Sequence, residues 1–250
     1  MRREPERLSL PGLPVIEIYD LLPSTNAEAR RRIATVQAAD GWIVARAQSA
    51  GRGRRGRTWI SEEGNLFASR ILEPRMPAFR TPELSFVASL ATFDAVSAHL
   101  PPASATVTCK WPNDILINRR KAAGLLLESE GASGWVVIGI GVNVTSAPTD
   151  VEFPATSLQE HGSRAVALDI LKSLASTFEH WYAIWREAGF APIRDAWRQR
   201  AAGLGEAIRV RLETREFTGT FTDIDETGAL LVRLSEGTIE RVAAGDVFFV

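Results

Sequence analysis

The sequence predicts an α+β protein in which a mixed, largely antiparallel central sheet with flanking helices is followed by a small β-rich domain. Short β-type segments between residues 106 and 144 are separated only by polar turns, which is typical of antiparallel strands. Helical patterns stand before and after these segments. Beyond residue 205 the helical periodicity ends and β-branched segments alternate with glycine turns, as in a small barrel. We therefore predict two domains, 1–203 and 204–250.

Composition limits the class of protein. The chain has 250 residues, 45% of them hydrophobic, and a net charge of −1, so it can bury a core and is not a general nucleic-acid binder. The single cysteine, Cys109, allows no intramolecular disulfide and favours a reducing compartment. The N-terminus lacks the apolar segment of a signal peptide, and no stretch approaches the roughly 20 apolar residues that span a bilayer. We expect a cytoplasmic protein that binds neither DNA nor membranes.

Three strands and two helices are predicted in the first half of the chain. After an N-terminal tail, a strand is predicted over 15–19. Thr25 and Glu28 fit a capping box, with Thr25 as N-cap of a helix that runs to about residue 36. Further strands are predicted over 41–48 and 65–72. Pro82 then fits the first turn of a helix whose apolar pattern continues to Leu100.

The second half begins with four predicted strands, over 106–111, 115–118, 124–130 and 135–144. A long helix follows, and a shorter one covers roughly 190–201. The long helix carries an apolar stripe that we assign to the core and not to a ligand site. This stripe consists of Leu171, Leu174, Phe178, Trp181 and Trp185. After Gly203, four or five short strands are predicted, with turns at 225–228 and 236–237.

The segment GRGRRGR, residues 51–57, is called the arginine loop below; it follows Gln48 and precedes Trp59. Its arginines repel one another, and its glycines lose much backbone entropy when they are ordered. A solvated basic loop, a nucleic-acid contact and an anion-binding loop are the three interpretations. We favour the third, because backbone N–H groups and guanidinium groups bind carboxylate or phosphate oxygens. In this interpretation the ligand, and not the fold, offsets the repulsion.

Strand alternation separates a lysine from the core. Val107, Cys109 and Trp111 share the apolar face of the predicted strand, so Cys109 is a packing residue and not a nucleophile. Lys110 projects from the opposite face; Pro112 then ends the strand, and the polar residues Asn113 and Asp114 follow. The alternative interpretation of Lys110 is a surface lysine.

The segment GIGVNV, residues 139–144, places Gly139, Gly141 and Asn143 on one face of a strand. Glycines inside a strand mark a bulge or a close approach by another group. Two interpretations stay open: a flat ligand lies on this glycine face, or the chain itself packs tightly there.

Five motifs in this order resemble the catalytic domain of bacterial biotin protein ligases: STN at 24–26, the arginine loop after a glutamine, KWPND, RKAAGLLLE and GIGVN. The β-rich C-terminal region resembles the SH3-like domain of that family. The resemblance implies a class II synthetase-like catalytic domain that uses ATP and biotin as substrates, with Mg²⁺. It also implies that biotin is transferred, through biotinyl-5′-AMP and with release of pyrophosphate, to a lysine of a biotin carboxyl carrier protein or domain, that of acetyl-CoA carboxylase or a related carboxylase.

The resemblance also implies roles for individual residues. Lys110 and Arg54 would be catalytic, with Lys110 close to the biotin carboxylate and the α-phosphate of ATP. The biotin-binding residues would be Ser24, Thr25, Asn26, Gln48, Arg52, Gly53, Arg54 and Lys110. The nucleotide-binding residues would be Arg54, Trp59, Asn113, Lys121 and Asn143. The motifs assign no metal ligand.

Several alternatives accompany this interpretation. Some relatives carry an N-terminal winged-helix DNA-binding domain, which would not fit before the first predicted strand, so we expect a ligase without repressor function. A lipoate ligase or octanoyl transferase shares the catalytic architecture, but Gln48 with the arginine loop and the KWPND motif favour biotin. A non-enzymatic nucleic-acid binder is the alternative from another class. An exposed sheet edge could pair two chains as a homodimer, although no motif demands it.

Overall fold

The computed structural model describes residues 4–35, 37–102, 105–129 and 134–250. Within these ranges the chain forms an eight-stranded mixed sheet and a five-stranded antiparallel sheet. The mixed character of the first and the separate β-rich second region agree with the sequence prediction, whereas one strand of the large sheet was not predicted. The strands of the large sheet are β1 (Glu6–Leu8), β2 (Ile16–Leu22), β3 (Gly41–Gln48), β4 (Leu66–Leu72), β5 (Val107–Lys110), β6 (Asp114–Ile117), β7 (Arg120–Ser129) and β8 (Val136–Val142). Their order is β1-β2-β3-β4-β8-β7-β6-β5; β2 and β3 run parallel, and the other neighbours are antiparallel.

Helices cover both faces of the large sheet. They are α1 (Thr25–Ala34), α2 (Glu83–Ser97), α3 (Ala167–Ala188) and α4 (Phe190–Arg198). Helix α1 lies over β3, β4 and β8, whereas α2 and α3 pack on the opposite face and α4 packs against them. Because side chains alternate along a strand, β8 directs Ile138 and Ile140 into the core under α2 and α3, and turns Val137, Gly139 and Gly141 to the other face. The α1 face is therefore left to form a cleft beside α1.

The apolar stripe of α3 lies in the core, as predicted. Leu174 and Phe178 are fully buried, and Trp185 is nearly so. Trp181 is half-buried, and its indole Nε1 donates a hydrogen bond of 2.6 Å to Asp94 Oδ2 on α2. The stripe therefore joins α3 to α2 through both apolar packing and a polar contact.

The N-terminal tail contains a strand that the sequence analysis missed. Strand β1 pairs antiparallel with β2, so that Glu6 lies opposite Ile18 and Leu8 opposite Ile16. A three-residue strand gives too short an alternation pattern to be recognised in the sequence. It forms one edge of the large sheet.

The predicted capping box is wrong. The N-cap of α1 is Ser24, which has extended backbone angles and whose hydroxyl accepts a 3.4 Å hydrogen bond from the Ala27 N–H. Thr25 is the first helical residue, and its hydroxyl is used elsewhere. Glu28 pairs with Arg31 at 2.7 Å and with Arg32 at 3.2 Å. The Glu28 carboxylate is therefore bound by two arginines, whereas in a capping box it would accept a hydrogen bond from the N-cap backbone N–H.

Other element boundaries differ by a few residues. Strand β7 begins at Arg120 and not at 124, because Asn118 and Arg119 have φ values of 49° and 63° and form a two-residue hairpin turn with β6. Helix α2 ends at Ser97 and α4 at Arg198. The predicted ends of α1 at Val36 and of β7 at Glu130 lie outside the described residues.

The C-terminal strands form a small antiparallel sheet. They are β9 (Ala207–Arg211), β10 (Glu216–Ile224), β11 (Leu230–Arg233), β12 (Ile239–Val242) and β13 (Asp246–Phe249), in the order β12-β11-β10-β9-β13. Gly228 and Gly237, with φ of 83° and 91°, lie at the two predicted turns. Over the described ranges, no helix has both the length and the apolar character needed to cross a membrane.

A buried contact joins the two sheets. The indole Nε1 of Trp111, which is 3% exposed, donates a 3.0 Å hydrogen bond to the carbonyl of Gly228. A Cβ atom at Gly228 would lie 2.5 Å from the ring of Phe86 on α2, so this turn is seated directly on the large domain. In the same small sheet, the start of β13 reaches the cleft on the α1 face, where Asp246 and Val247 line it.

We expect Trp111→Phe to lower the free energy of unfolding by about 1–3 kcal/mol, since it leaves the buried Gly228 carbonyl without its donor. Urea denaturation followed by circular dichroism measures the change. A loss below about 0.5 kcal/mol would show that this hydrogen bond does not hold the two sheets together.

Candidate active site

A cleft of about 240 Å³ opens on the α1 face of the large sheet. The sheet forms its floor, and the arginine loop, the residues after β5 and the start of β13 form its walls. All of the site residues predicted from the sequence line this cleft: Ser24, Thr25, Asn26, Gln48, Arg52, Gly53, Arg54, Trp59, Lys110, Asn113, Lys121 and Asn143. The structure therefore brings them together, while the role of each remains a prediction.

A hydrogen-bond network fixes Gln48 at one end of the cleft. Gln48 Oε1 accepts from the Thr25 backbone N–H at 2.8 Å and from the Thr25 hydroxyl at 3.3 Å. Gln48 Nε2 donates to the hydroxyl of Ser61 at 3.0 Å. Because both ends of the amide are engaged, its orientation is set before any ligand binds.

Asn26 is held in the same way by residues that the sequence analysis did not assign. It is 3% exposed, and its Oδ1 accepts a 2.6 Å hydrogen bond from the hydroxyl of Ser69 on β4. Its Nδ2 donates to Glu128 Oε2 at 2.8 Å and to the Leu126 carbonyl at 3.2 Å. The sequence signal for Ser69 is a hydroxyl between Phe67 and Ile71 on an otherwise apolar face of β4. Glu128 could have been found as the acid that ends the RKAAGLLLE motif.

Carboxylates of the protein hold most of the arginine loop. Arg52 lies 2.8 Å from Glu128, and Arg55 lies 3.3 Å from Asp246, which also pairs with Arg57. The prediction that the ligand alone offsets the repulsion within the loop is therefore wrong. Glu128 and Asp246 already offset it, and neither acid is close to the loop in the sequence.

Arg54 differs from the other arginines of the loop. Its Nη1 donates a 3.1 Å hydrogen bond to Asn113 Oδ1, a neutral acceptor. Among the described residues, no carboxylate lies within ion-pair distance of it. Burial lowers the pKa of Arg54 below its ordinary value, although a guanidinium stays charged at neutral pH. Arg54 therefore offers an incoming anion a desolvated cation.

Asp246, on β13 of the C-terminal sheet, forms ion pairs with the arginine loop. It is 6% exposed and contacts Arg57, Arg55 and, at 3.3 Å, Arg211. Burial alone would raise the pKa of this carboxyl, but the hydrogen bonds and charge of Arg57 and Arg211 hold the pKa below its usual range. Sequence reasoning did not identify Asp246, because nothing in the sequence around a single acid in a short strand indicates which distant residues it will contact.

The side chain of Lys110 forms part of the cleft wall. It is 5% exposed, and its Nζ lies 4.0 Å from the ring centroid of Phe153 and 6.0 Å from that of Phe248. Burial lowers the pKa of Lys110 to about 8, and the opposing charges of Asp114 and Asp246 offset this only in part. The alternative of a surface lysine is wrong. A poorly hydrated ammonium in a cleft is suited to bind an anion.

The other face of β5 behaves as predicted. Cys109 is fully buried in the core under α2, and burial raises the pKa of its thiol to about 12. Only the thiolate is a nucleophile, so the thiol stays unreactive near neutral pH. Cys109 is a packing residue.

The glycine face of β8 is covered by the protein's own side chains. A Cβ at Gly139 would lie 2.4 Å from Asn26 Oδ1, and one at Gly141 would lie 2.5 Å from the Trp59 ring. The same ring lies 2.9 Å from a Cβ position at Gly124 on β7. Tight packing of the chain, one of the two interpretations left open above, is therefore seen at both glycines. Both also line the cleft, and a flat ligand on this face stays a prediction. The packing makes Trp59 a flat apolar part of the cleft floor.

Asn143 and Lys121 are engaged with neighbours inside the protein. Asn143 is 3% exposed, and its Nδ2 donates a 3.1 Å hydrogen bond to the Thr156 carbonyl. This bond helps to hold the segment 154–157, which lies beside β7. Lys121 Nζ lies 2.6 Å from Asp114 Oδ1. Both residues line the cleft, but each also has a structural partner.

Family models match both regions of the chain. Residues 19–144 match the biotin/lipoate A/B protein ligase family, and residues 203–250 match the biotin protein ligase C-terminal domain. These two matches fall on the large sheet with its cleft and on the small sheet.

Curated relatives are similar over nearly the whole chain. The biotin–[acetyl-CoA-carboxylase] ligase of Paracoccus denitrificans is 44% identical over 90% of this chain and 97% of the relative. The enzyme of the same name from Mycobacterium tuberculosis is 36% identical over 94% of this chain and 89% of the relative. The bifunctional ligase/repressor BirA of Bacillus subtilis is 36% identical over 92% of this chain and 72% of the relative.

Solved structures share the fold. The biotin protein ligase from Aquifex aeolicus in complex with biotin and ATP superposes with a TM-score of 0.79 at 26% identity, covering 93% of this chain and 97% of that one. The Leishmania major enzyme in complex with biotinyl-5-AMP gives a TM-score of 0.67 at 28% identity, covering 94% of this chain and 100% of that one. The predicted fold class is confirmed. Because both regions match and the motif residues meet in one cleft, the chain belongs to the biotin/lipoate A/B protein ligase family, within it to the biotin protein ligases.

Proposed function

We propose that this protein joins biotin to ATP to form biotinyl-5′-AMP and then transfers the biotinyl group to a lysine of a biotin carboxyl carrier domain. The observation that carries the proposal is the composition of the cleft. The buried ammonium of Lys110 and the guanidinium of Arg54 share it with the preset amides of Asn26 and Gln48. The two cations can bind the carboxylate and the phosphate that react, and the two amides can form hydrogen bonds with a neutral polar ring.

The polar end of the cleft is the proposed biotin site. The ureido ring of biotin has both donors and acceptors, so it needs partners of fixed orientation. Thr25, Asn26 and Gln48 are held in this way by hydrogen bonds to one another and to Ser69 and Ser61. The proposed biotin-binding set remains Ser24, Thr25, Asn26, Gln48, Arg52, Gly53, Arg54 and Lys110, all of which line the cleft.

The first step brings two anions together. A carboxylate oxygen of biotin attacks the α-phosphorus of ATP, the bond from that phosphorus to the bridging oxygen breaks, and pyrophosphate leaves with the electron pair. Lys110 and Arg54 would offset the repulsion between carboxylate and phosphates and stabilise charge on the α-phosphate. Trp59, Asn113, Lys121 and Asn143 are proposed as contacts of the nucleotide.

The second step uses a reactive mixed anhydride. The neutral amine of the carrier lysine attacks the biotinyl carbonyl, the bond from that carbon to the phosphate oxygen breaks, AMP leaves with the electron pair, and the nitrogen releases one proton to solvent. The closed arginine loop would protect the anhydride by excluding water. We propose acetyl-CoA carboxylase or a related carboxylase as the source of the carrier domain, in line with the names of the relatives.

Mg²⁺ is proposed as the partner of the ATP phosphates. The described residues contain no cluster of three or more His, Cys, Asp or Glu side chains placed to hold a metal ion. Glu152 and Asp114, which line the cleft, lie 2.6 Å from Arg211 and Lys121 respectively. Glu152 and Asp114 would supply carboxylate oxygens, which Mg²⁺ takes as ligands together with substrate phosphates and water, and the ion would offset charge on the phosphates of ATP.

The remaining proposals concern the setting of the enzyme. We propose that 1–203 form the catalytic domain and 204–250 the C-terminal domain, since α4 ends at Arg198 and β9 begins at Ala207. A cytoplasmic location fits an unpaired, buried Cys109. A homodimer that pairs through β1, one edge of the large sheet, is the proposed assembly.

The proposed function is tested by biotin-dependent exchange of labelled pyrophosphate into ATP. We expect exchange with biotin and Mg²⁺, and none when lipoate replaces biotin, because the first step is reversible and needs the correct carboxylate. Exchange that lipoate supports and biotin does not would overturn the proposal.

Lys110→Met should lower the exchange rate by about 100- to 1,000-fold, the loss typical of a removed transition-state donor. Methionine keeps the contact with Phe153, so we expect unchanged or higher thermal stability once the buried charge is gone. Lys172→Met, at an exposed position of α3, is the matched control and should exchange at the parent rate. A Lys110→Met enzyme as active as the control would remove Lys110 from the mechanism.

The pH profile of kcat/KM should fall above about pH 8, where burial places the pKa of Lys110. Between this pKa and the ordinary value of 10.5 the unfolded chain binds more protons at this site than the folded chain, so the lysine's contribution to the free energy of unfolding rises with pH there. Activity and this contribution to stability should therefore move in opposite directions. A kcat/KM that stays constant up to pH 10.5 would contradict the assignment.

A further inference from the structure

The carboxylate of Glu128 connects two parts of the cleft that are distant in the sequence. Glu128 lies near the end of β7, a strand of the cleft floor, and contacts Asn26 at the start of α1 and Arg52 in the arginine loop. We propose that Glu128 is a positioning residue that keeps the arginine loop closed over the biotin end of the cleft and so sets how long biotin remains bound. The inference rests on the proposed function for the identity of the ligand.

The contact with the loop is a two-oxygen ion pair. Arg52 Nη2 lies 2.8 Å from Glu128 Oε1 and 3.0 Å from Oε2. The side chains are 43% and 21% exposed, respectively, so water and salt reach the pair. An ion pair of this kind is weak and is screened by salt. It can therefore hold the loop closed without preventing the loop from opening to admit a ligand.

The contact with the floor orients an amide. An ionised carboxylate only accepts hydrogen bonds, so Asn26 must present its NH₂ group to Glu128. Asn26 Oδ1 is thereby directed to the hydroxyl of Ser69, 2.6 Å away. Together with the Leu126 carbonyl, which accepts from the same NH₂ group, Glu128 thus sets the orientation of the Asn26 amide, in addition to holding the loop above the ligand.

The loop has a second, separate attachment. Arg55 and Arg57 bind Asp246 on β13, whereas Arg52 binds Glu128 on the floor strand. Loss of Glu128 would therefore release one end of the loop and leave the other end attached. Arg30, on α1, lies 3.4 Å from the same carboxylate and adds a second cation to it.

The first test needs no ligand. Limited trypsin digestion with mass mapping reports opening of the loop as cleavage after Arg52, since cleavage follows the population of the open state. We expect Glu128→Gln to be cut about two- to fivefold faster than the parent, consistent with a weak ion pair. The matched control is Glu6→Gln, which removes the charge from an exposed ion pair of 2.9 Å with Arg46 and should be cut at the parent rate. Equal cleavage of Glu128→Gln and the parent would overturn the inference.

Salt distinguishes an ionic closure from a general loosening of the fold. Raising NaCl should speed cleavage after Arg52 in the parent, because it screens the pair, and should have little further effect in Glu128→Gln. A variant that keeps the full salt response would show that another contact closes the loop. Thermal unfolding of both variants should match the parent.

The second test measures retention of biotin. The dissociation rate of biotin should rise by a similar factor of about two to five in Glu128→Gln and in Arg52→Ala, and the double variant should be no faster than the faster single variant. If both changes add fully, the two residues act independently and the inference is wrong. If the parent binds no biotin, the proposed function fails, and the trypsin test still decides whether Glu128 closes the loop.

Discussion

The architecture of the cleft depends on the ion pairs that Asp246 makes with the arginine loop. This acid comes from the C-terminal sheet, yet it binds Arg55 and Arg57 of the large domain and Arg211 of its own sheet. A buried carboxylate needs such partners, because desolvation would otherwise favour its neutral form. The small sheet is therefore a wall of the site as well as an appended domain. Its Phe248 ring stacks on Phe153, beside the ammonium of Lys110.

The cationic side chains of the site fall into two groups: some form ion pairs within the protein, and others are available to bind an anion. Arg52, Arg55 and Arg57 are bound to acids of the protein. Arg54 and Lys110 are desolvated, and burial lowers the pKa of each. An anion that enters the cleft would find these two groups poorly hydrated, so binding it would replace little water. This division explains how a loop with four arginines can be ordered and still have charge available.

Sequence reasoning predicted most of the fold, and every residue that it assigned to the site lines the cleft. It did not predict the contacts between these residues. Period-2 alternation was enough to separate Lys110 from Cys109, because it depends only on neighbouring residues. The acids Glu128 and Asp246 were missed because their partners lie far away in the sequence. The capping of α1 was assigned one residue late, since serine and threonine both satisfy the pattern and only the backbone angles of Ser24 decide between them.

The indole of Trp59 rests directly on Gly141 and Gly124, with no gap between ring and strand. A single added methyl group at position 141 would push the ring out of its seat and into the space above it. In homologous chains, then, a larger residue at position 141 would have to be accompanied by a smaller one at position 59. Position 141 is therefore restricted by a side chain that comes from a distant part of the sequence, just after the arginine loop.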